Sequence, residues 1–209
     1  MQAEDPPTPA APEAPPARGR PRDPGLQDRV FDAAIAVYAS SGWRDFTFDA
    51  VARAAGVGKA ALYRRWPTRG DLLRETLEAR WYRVGGMDTG SLEGDLTALA
   101  RMIFDSGVGP HGDVVLHYRA DLHQHAEVRR LTGSYGRELI AEARMIVRRA
   151  AARGELQGDA SPALIIDVVV GAMLNRISAT PDRLRATMVA KRDQIIADLV
   201  QFVIRGAGG

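Results

Sequence analysis

Helical periodicity runs through the chain from residue 26 onward, and this feature restricts the possible folds more than any other. Apolar residues recur at three- and four-residue spacing, first at Leu26, Val30, Ala34 and Val37. The chain has no sustained alternation of apolar and polar residues and no hairpin dipeptide between β-branched runs. We therefore predict an all-α fold.

A proline-rich stretch precedes the helical region. Eight of the 12 prolines fall within residues 1–24, and the stretch has no apolar surface to bury, so we predict that it is disordered. Its basic end contains Arg18, Arg20 and Arg22. These arginines are interpreted either as part of a solvated linker or as an arm that follows a DNA groove beside a helical reader.

Composition excludes several classes of protein. The chain has no cysteine, which rules out a disulfide framework, a thiolate zinc site and a cysteine nucleophile. The longest uninterrupted apolar run has seven residues, 33–39, and the first 17 residues contain no Lys or Arg. We therefore predict no transmembrane helix, no secretory signal, no membrane partner and a cytoplasmic location.

The charge distribution is uneven along the chain. The formal net charge is only +2, but residues 18–80 contain 12 Lys and Arg against 8 Asp and Glu, a local net charge of +4. A basic excess confined to one third of the chain favours a nucleic-acid partner for that third.

Two short helical segments joined by a glycine turn follow the first helix. The order of predicted elements is a helix from Leu26 that ends at Gly42, an N-cap at Thr47, a helix over 48–55, a turn at Gly56-Val57-Gly58, a helix over 59–66, and a capping box of Thr68 with Asp71. This arrangement predicts a helix-turn-helix.

A series of ordered anchors carries a specific family resemblance. They are Phe31-Asp32-Ala33-Ala34, Gly42-Trp43, Thr47, Val51 to Lys59, Leu62-Tyr63-Arg64-Arg65-Trp66 and Asp71-Leu72-Leu73. Residues 26–80 closely resemble the DNA-binding domain of the TetR family of transcriptional regulators. The resemblance implies a homodimer with three regions in each chain: a tail over 1–24, a DNA-binding domain over 25–80, and a helical effector-binding and dimerisation domain over 81–209.

The second short helix contains the predicted DNA contacts. Its exposed donors are expected to meet phosphates and base edges in the major groove, while Leu62 and Trp66 pack inward. Similarity to the family places Lys59, Ala60, Tyr63 and Arg64 nearest the bases, and Thr47, Tyr63, Arg65 and Arg69 nearest the phosphates. Gly58 and Ala61 stand where the family often has hydroxyl residues, which removes a helix cap and a phosphate contact. A solvated surface charge remains the alternative for any single arginine.

Five helices are predicted in the C-terminal two-thirds, over 91–106, 112–125, 131–153, 162–178 and 181–205, with Ser161-Pro162 and Thr180-Pro181 as N-cap and first helical residue. The fourth is apolar nearly all round, which predicts burial on two sides and hence a subunit interface. In the family, the last two long helices form the dimer interface. The predicted interface residues are Val169, Gly171, Met173, Leu199 and Phe202.

Large apolar and aromatic side chains are candidates for a cavity that binds an unidentified small-molecule effector, although each residue alone is more often part of a core. The candidates are Trp81, Met102, Phe104, His117, Tyr118, Met145 and Met173. Asp113, His117, Asp121 and His125 share a helical stripe, but the stripe drifts around the helix and no second group is matched to it. We expect neither a metal site nor a cofactor.

Three functions remain open at this point. The leading hypothesis is a repressor that binds a palindromic operator as a dimer and is released by a small molecule. A DNA-binding regulator of the same fold without a small-molecule effector is the alternative. An all-α enzyme is remote, because the sequence has no Glu-x-x-His pair, nucleophile elbow or phosphate loop.

Overall fold

The computed structural model describes residues 25–156 and 161–208. Over these residues the chain forms helices and no strand, which confirms the all-α prediction. In chain order the helices are α1 (Leu26–Asp45), α2 (Phe48–Ala55), α3 (Lys59–Arg65), α4 (Arg69–Arg80), α5 (Leu92–Val108), α6 (Val114–Gln124), α7 (Ala126–Ala152), α8 (Pro162–Ala179), α9 (Asp182–Ala190) and α10 (Arg192–Gly206). The predicted tail over 1–24 lies outside the described residues.

The N-terminal domain, α1 to α4, packs around one apolar core. Tyr38, Phe46, Leu62 and Trp66 are fully buried in it. Residues of α6 and α7 belong to the same core, among them Val114 of α6. The N-terminal domain therefore packs directly against these two helices. Large aromatic side chains are prominent in this core, and each buries a large apolar area.

A second core lies between α5, α7, α8 and α10 and holds the C-terminal domain together. Leu96, Phe104, Ile146, Val169 and Met173 are among its buried side chains. Helix α8 buries only one face in this core. Leu164, on the opposite face, remains 63% exposed. Burial of the second side needs another subunit against this open face, so that part of the expectation stays a prediction.

Side-chain caps place several helix ends where the sequence predicts them. The Thr47 hydroxyl accepts from the Ala50 amide, and Thr68 and Asp71 form the predicted capping box. Ser161 caps α8, with Pro162 in its first turn. The Thr180 hydroxyl instead donates to the Arg176 carbonyl, so the predicted cap at Thr180 is wrong.

Helix α1, predicted to end at Gly42, continues past a kink at Gly42 to Asp45, and two other predicted helices differ more from the structure. Helix α7 begins at Ala126 rather than at residue 131, because the chain turns at the single residue His125 and needs no loop. The predicted helix over 181–205 is interrupted at Lys191. Met188 and Ile196 are both buried, yet residues eight apart lie about 80° apart on a straight helix, so a bend lets both face the core.

Helix α8, Pro162–Ala179, is long and apolar enough to cross a membrane by length and composition alone. Its mean hydropathy is 1.5 over 18 residues. The length of uninterrupted apolar runs does not reveal this helix, because Asp167 and Gly171 break the run in α8. One face of α8 packs against α5, α7 and α10 in the structure.

Candidate DNA-binding helix and ligand cavity

The turn between α2 and α3 has the geometry of a helix-turn-helix. Gly56 ends α2 in the left-handed conformation, with φ of 64° and ψ of 34°, which a residue with a side chain adopts only at a cost. Gly58 precedes α3 and provides no side-chain cap, as its lack of a hydroxyl predicts. Leu62 is fully buried and anchors α3 to the domain core.

The outer face of α3 presents donors and one aromatic ring to solvent. Tyr63 is 54% exposed, and its ring packs edge-on against Phe48 at 4.6 Å between centroids. Lys59 forms an exposed ion pair with Asp49 at 2.7 Å, and this hydrogen bond raises the pKa of Lys59. Arg64 is exposed and has no ion pair within the described part of the chain. These side chains can exchange their present contacts for those of a ligand at little cost, because surface ion pairs are weak.

Two of the predicted phosphate ligands already have partners within the protein. Arg65 donates to Gln27 of α1 and lies over the Trp66 ring. The Arg69 guanidinium lies 3.9 Å from the centre of the Trp43 ring and donates to the Trp43 and Phe46 carbonyls at 3.1 and 3.0 Å. Arg69 therefore ties α4 to the end of α1, a structural role that its sequence position does not indicate.

Asp121 of α6 joins the two domains. Its Oδ2 accepts from the Tyr38 hydroxyl at 2.7 Å and from the Trp43 amide at 2.9 Å, and the carboxyl group is buried. Burial, followed by the bond to Asp121, raises the pKa of Tyr38 far above its ordinary value, so the hydroxyl remains a donor. Sequence patterns miss this contact because its partners lie 83 and 78 residues away along the chain.

A cavity of about 380 Å³ lies among α5, α6, α7 and α8, next to the segment that follows α4. Its walls are mainly apolar and aromatic, and the charged groups on its lining are Arg119 on α6 and Asp167 on α8. The volume falls in the range of about 300–1,000 Å³ that is usual for small-molecule sites. The apolar lining includes Trp81, Met102, Tyr118, Leu139, Val170 and Leu174.

Family models match both domains of the chain. The model for bacterial regulatory proteins of the tetR family matches residues 30–76, and the model described as Tetracyclin repressor-like, C-terminal domain, matches residues 87–199, more than half of the chain. The HTH-type transcriptional regulator AqdR of Rhodococcus erythropolis is 30% identical over 150 residues, covering 71% of this chain and 72% of that protein. The chain belongs to the TetR family of transcriptional regulators.

Another relative is similar in sequence, and two solved structures share the fold. The uncharacterized HTH-type transcriptional regulator YdeS of Bacillus subtilis is 26% identical and covers 90% of this chain and 93% of that protein. GusR of Salmonella enterica shares the fold with a TM-score of 0.68 at 14% identity, over 88% of this chain and 98% of that one. FadR of Bacillus subtilis, solved in complex with stearoyl-CoA, has a TM-score of 0.62 at 14% identity, over 86% and 98%.

Three of the seven predicted effector contacts of this TetR-family chain line the cavity, namely Trp81, Met102 and Tyr118. The other four do not, so their assignment to the cavity is wrong. Phe104 and Met173 are buried in the second core, His117 packs against Gly42, and Met145 is 40% exposed on the outside of α7. Apolar character alone does not reveal whether a side chain on a helix points into the cavity or into the core.

The predicted interface residues of the TetR-family dimer also separate into two groups. Val169 is fully buried in the core of its own protomer, so it is not available to a partner and its assignment is wrong, whereas Met173 is buried but also lines the groove between α8 and α10. Gly171 is exposed, Leu199 is half-buried and Phe202 is 70% exposed. Leu199 and Phe202 border a groove of about 630 Å³ between α8 and α10.

The histidine and carboxylate stripe on α6 has a structural explanation. Asp121 is committed to Tyr38 and Trp43, and His125 Nε2 lies 3.6 Å from its other oxygen. Within residues 25–156 and 161–208, no group of three His, Cys, Asp or Glu side chains is placed to hold a metal ion.

Proposed function

We propose that the chain is a cytoplasmic, ligand-responsive transcriptional repressor that binds a palindromic DNA operator as a homodimer and is released by a small molecule. The observation that carries this proposal is an apolar cavity whose wall includes α6, the helix that also contacts the N-terminal domain. The sequence relatives are named as transcriptional regulators, so the proposal gives the chain a regulatory role and no catalytic one.

DNA recognition is assigned to α3. Lys59, Ala60, Tyr63 and Arg64 lie on its exposed face and are proposed to approach base edges in the major groove. Thr47 and Arg65 are proposed to contact phosphates, because Thr47 is exposed at the start of α2 and the exposed Arg65 donates to the neutral Gln27 of α1. Arg69 is proposed to act mainly by positioning, with its remaining donors directed at the backbone of DNA.

Effector binding is assigned to the cavity of about 380 Å³. Its apolar walls favour a mainly apolar molecule, and Arg119 and Asp167 offer polar contacts at its lining. A neighbour with the same fold, FadR of Bacillus subtilis, was solved with stearoyl-CoA bound, which supports an effector site in such a fold without naming this one. A cavity of this size also disfavours the alternative of a regulator without a small-molecule effector.

Dimerisation is assigned to the outer faces of α8 and α10. Leu164 and Phe202 are large apolar side chains that a lone protomer leaves 63% and 70% exposed. Gly171 has no atom near the position of a Cβ, so a partner helix can approach closely there. A symmetric dimer would bury these faces against one another and hold two copies of α3 about 34–36 Å apart, one turn of DNA.

The proposed function is tested by selecting binding sites for the full chain from random double-stranded DNA. We expect an enriched palindrome whose half-sites are centred about 10 base pairs apart. The enriched sites are then located in the source genome, where neighbouring genes indicate the regulated process. Failure to enrich any sequence over the starting pool would contradict the assignment of specific DNA binding.

Lys59→Ala and Arg65→Ala are expected to weaken operator binding in different ways. Loss of a base contact at Lys59 should cost about 1–3 kcal/mol and change the preferred bases. Loss of a phosphate contact at Arg65 should weaken cognate and scrambled DNA alike and flatten the log–log salt dependence by about 0.9. Titrations of both DNA sequences at several salt concentrations measure these effects. Identical behaviour of the two variants on both DNAs would show that the roles are wrongly divided.

The basic stretch with Arg18, Arg20 and Arg22 is expected to add DNA affinity. Deleting residues 1–17, which contain no Lys or Arg, should leave operator affinity and melting temperature unchanged. Deleting residues 1–23 should weaken operator binding while the melting temperature stays the same, because only charge is lost. A lower melting temperature for the shorter deletion would refute this assignment.

A further inference from the structure

We propose that Asp121 is the positioning residue through which occupancy of the cavity changes the DNA affinity of the N-terminal domain. This inference rests on the proposed function and names the contact that transmits regulation. Asp121 touches neither the cavity nor the outer face of α3 in the structure, so its effect would have to pass through other residues.

Helix α6 faces both sites. Val115, Tyr118 and Leu122 line the cavity. From another side of the same helix, His117 and Asp121 contact the end of α1. An α-helix of 11 residues moves as a rigid element, so a displacement at the cavity wall also shifts the carboxyl group.

The junction between α6 and α1 has little free space. Gly42 leaves the helical conformation with φ of 64° and ψ of −163°, and a Cβ built on it would lie 2.8 Å from His117 Nδ1. Oδ2 of Asp121 accepts two hydrogen bonds from residues that flank Gly42 in the sequence. One comes from the Tyr38 hydroxyl and the other from the Trp43 amide. A charged, buried acceptor with two short hydrogen bonds keeps its partners at fixed distances, whereas apolar contacts can slide.

The contacts continue from Trp43 into the helix-turn-helix. The Trp43 carbonyl and ring both hold Arg69, the first residue of α4. The same guanidinium binds the Phe46 carbonyl, and Phe46 immediately precedes Thr47, the N-cap of α2. A series of hydrogen-bonded groups therefore runs from α6 to the start of α2, and a displacement of α6 can pass along it to the helix-turn-helix.

A double-mutant cycle tests the coupling without a known effector. Val170→Trp, on α8, fills the cavity in place of a ligand, and Met102→Phe on α5 is a second filling variant should the first not fold. Each is combined with Asp121→Asn, which keeps the shape of the side chain but removes its charge. Operator and scrambled-DNA affinities are measured by titration for all variants, at a temperature where circular dichroism shows each to be folded.

We expect the filling substitution to lower operator affinity at least tenfold in the wild-type background and less than threefold in the Asp121→Asn background, with scrambled DNA little affected. Tyr38→Phe, which removes one of the two donors, should give an intermediate ratio. Thr76→Val is the control, because Thr76 is a fully buried polar residue of α4 that bonds only within its own helix. The tenfold effect should persist in the Thr76→Val background.

The inference would be overturned if the filling substitution lowered operator affinity by the same factor in the wild-type and Asp121→Asn backgrounds. It would also be overturned if the substitution changed operator affinity in neither background. Loss of the effect in the Thr76→Val control as well would also overturn it, because the response would then follow general destabilisation. Failure of the wild-type protein to bind any selected operator is a different outcome, which refutes the proposed function itself.

Discussion

Phe202→Glu is expected to convert the protein from a dimer to a monomer and to lower operator affinity at least ~100-fold, because one N-terminal domain then contacts only one half-site. The side chain is 70% exposed in the protomer, so the substitution leaves the protomer core intact. In the dimer it would bury an unpaired carboxylate among apolar side chains, which is costly. Sedimentation at micromolar concentration and operator titration measure the two effects.

A matched control for this substitution is Leu116→Glu on α6. Leu116 is 46% exposed and lies on neither α8 nor α10. We expect the control to remain dimeric and to keep its operator affinity. A wild-type monomer that binds a palindrome tightly, or a Phe202→Glu variant that remains a dimer with full affinity, would contradict the proposed interface.

Gly42→Ala is expected to destabilise the fold by about 3 kcal/mol, because the added methyl group meets both an unfavourable backbone conformation and a close neighbour. The backbone at Gly42, with φ of 64° and ψ of −163°, lies in a region that is open almost exclusively to glycine. The new Cβ would also lie 2.8 Å from His117 Nδ1. Urea unfolding at one fixed protein concentration measures the loss, since the stability of a dimer depends on concentration.

Gly56→Ala is the comparison at a glycine with the same φ but without either added cost. Gly56 also has a φ of 64°, but its ψ of 34° is the ordinary left-handed conformation, and no atom lies within 4 Å of a Cβ there. We expect a loss of only about 1 kcal/mol, from backbone strain alone. If the two alanine variants unfolded at the same urea concentration, neither the unusual ψ of Gly42 nor the close approach of His117 would add to the cost of a methyl group there.

The helix-turn-helix could be predicted almost to the residue because its signals are local. Thr47, Gly56 and the pair of Thr68 with Asp71 act through backbone groups at most four residues away, so the same chemistry is visible in the sequence and in the structure. The exposed set on α3 follows from the same periodicity, since Leu62 and Trp66 must face inward and their neighbours outward.

The cavity and the dimer face were predicted less well because an apolar residue has the same signature wherever it is buried. Helix α8 is apolar on most sides, and no pattern within it distinguishes the face that meets the protomer core from the face left open. Val169 was therefore assigned to the interface although it is buried in the core. The same ambiguity placed Phe104 in the cavity, whereas it packs in the second core.

The amino-acid sequence by itself determined most of the helices, the caps at Thr47, Thr68 and Ser161, the glycine turn and the basic character of the N-terminal third, because each depends on groups close together along the chain. Only the tertiary structure decided which faces line the cavity, which remain open on α8 and α10, and that Asp121 bonds to Tyr38 and Trp43. Those contacts join residues about 80 positions apart. They form only when packing of the two domain cores brings α1 against α6, and no local pattern encodes that distance.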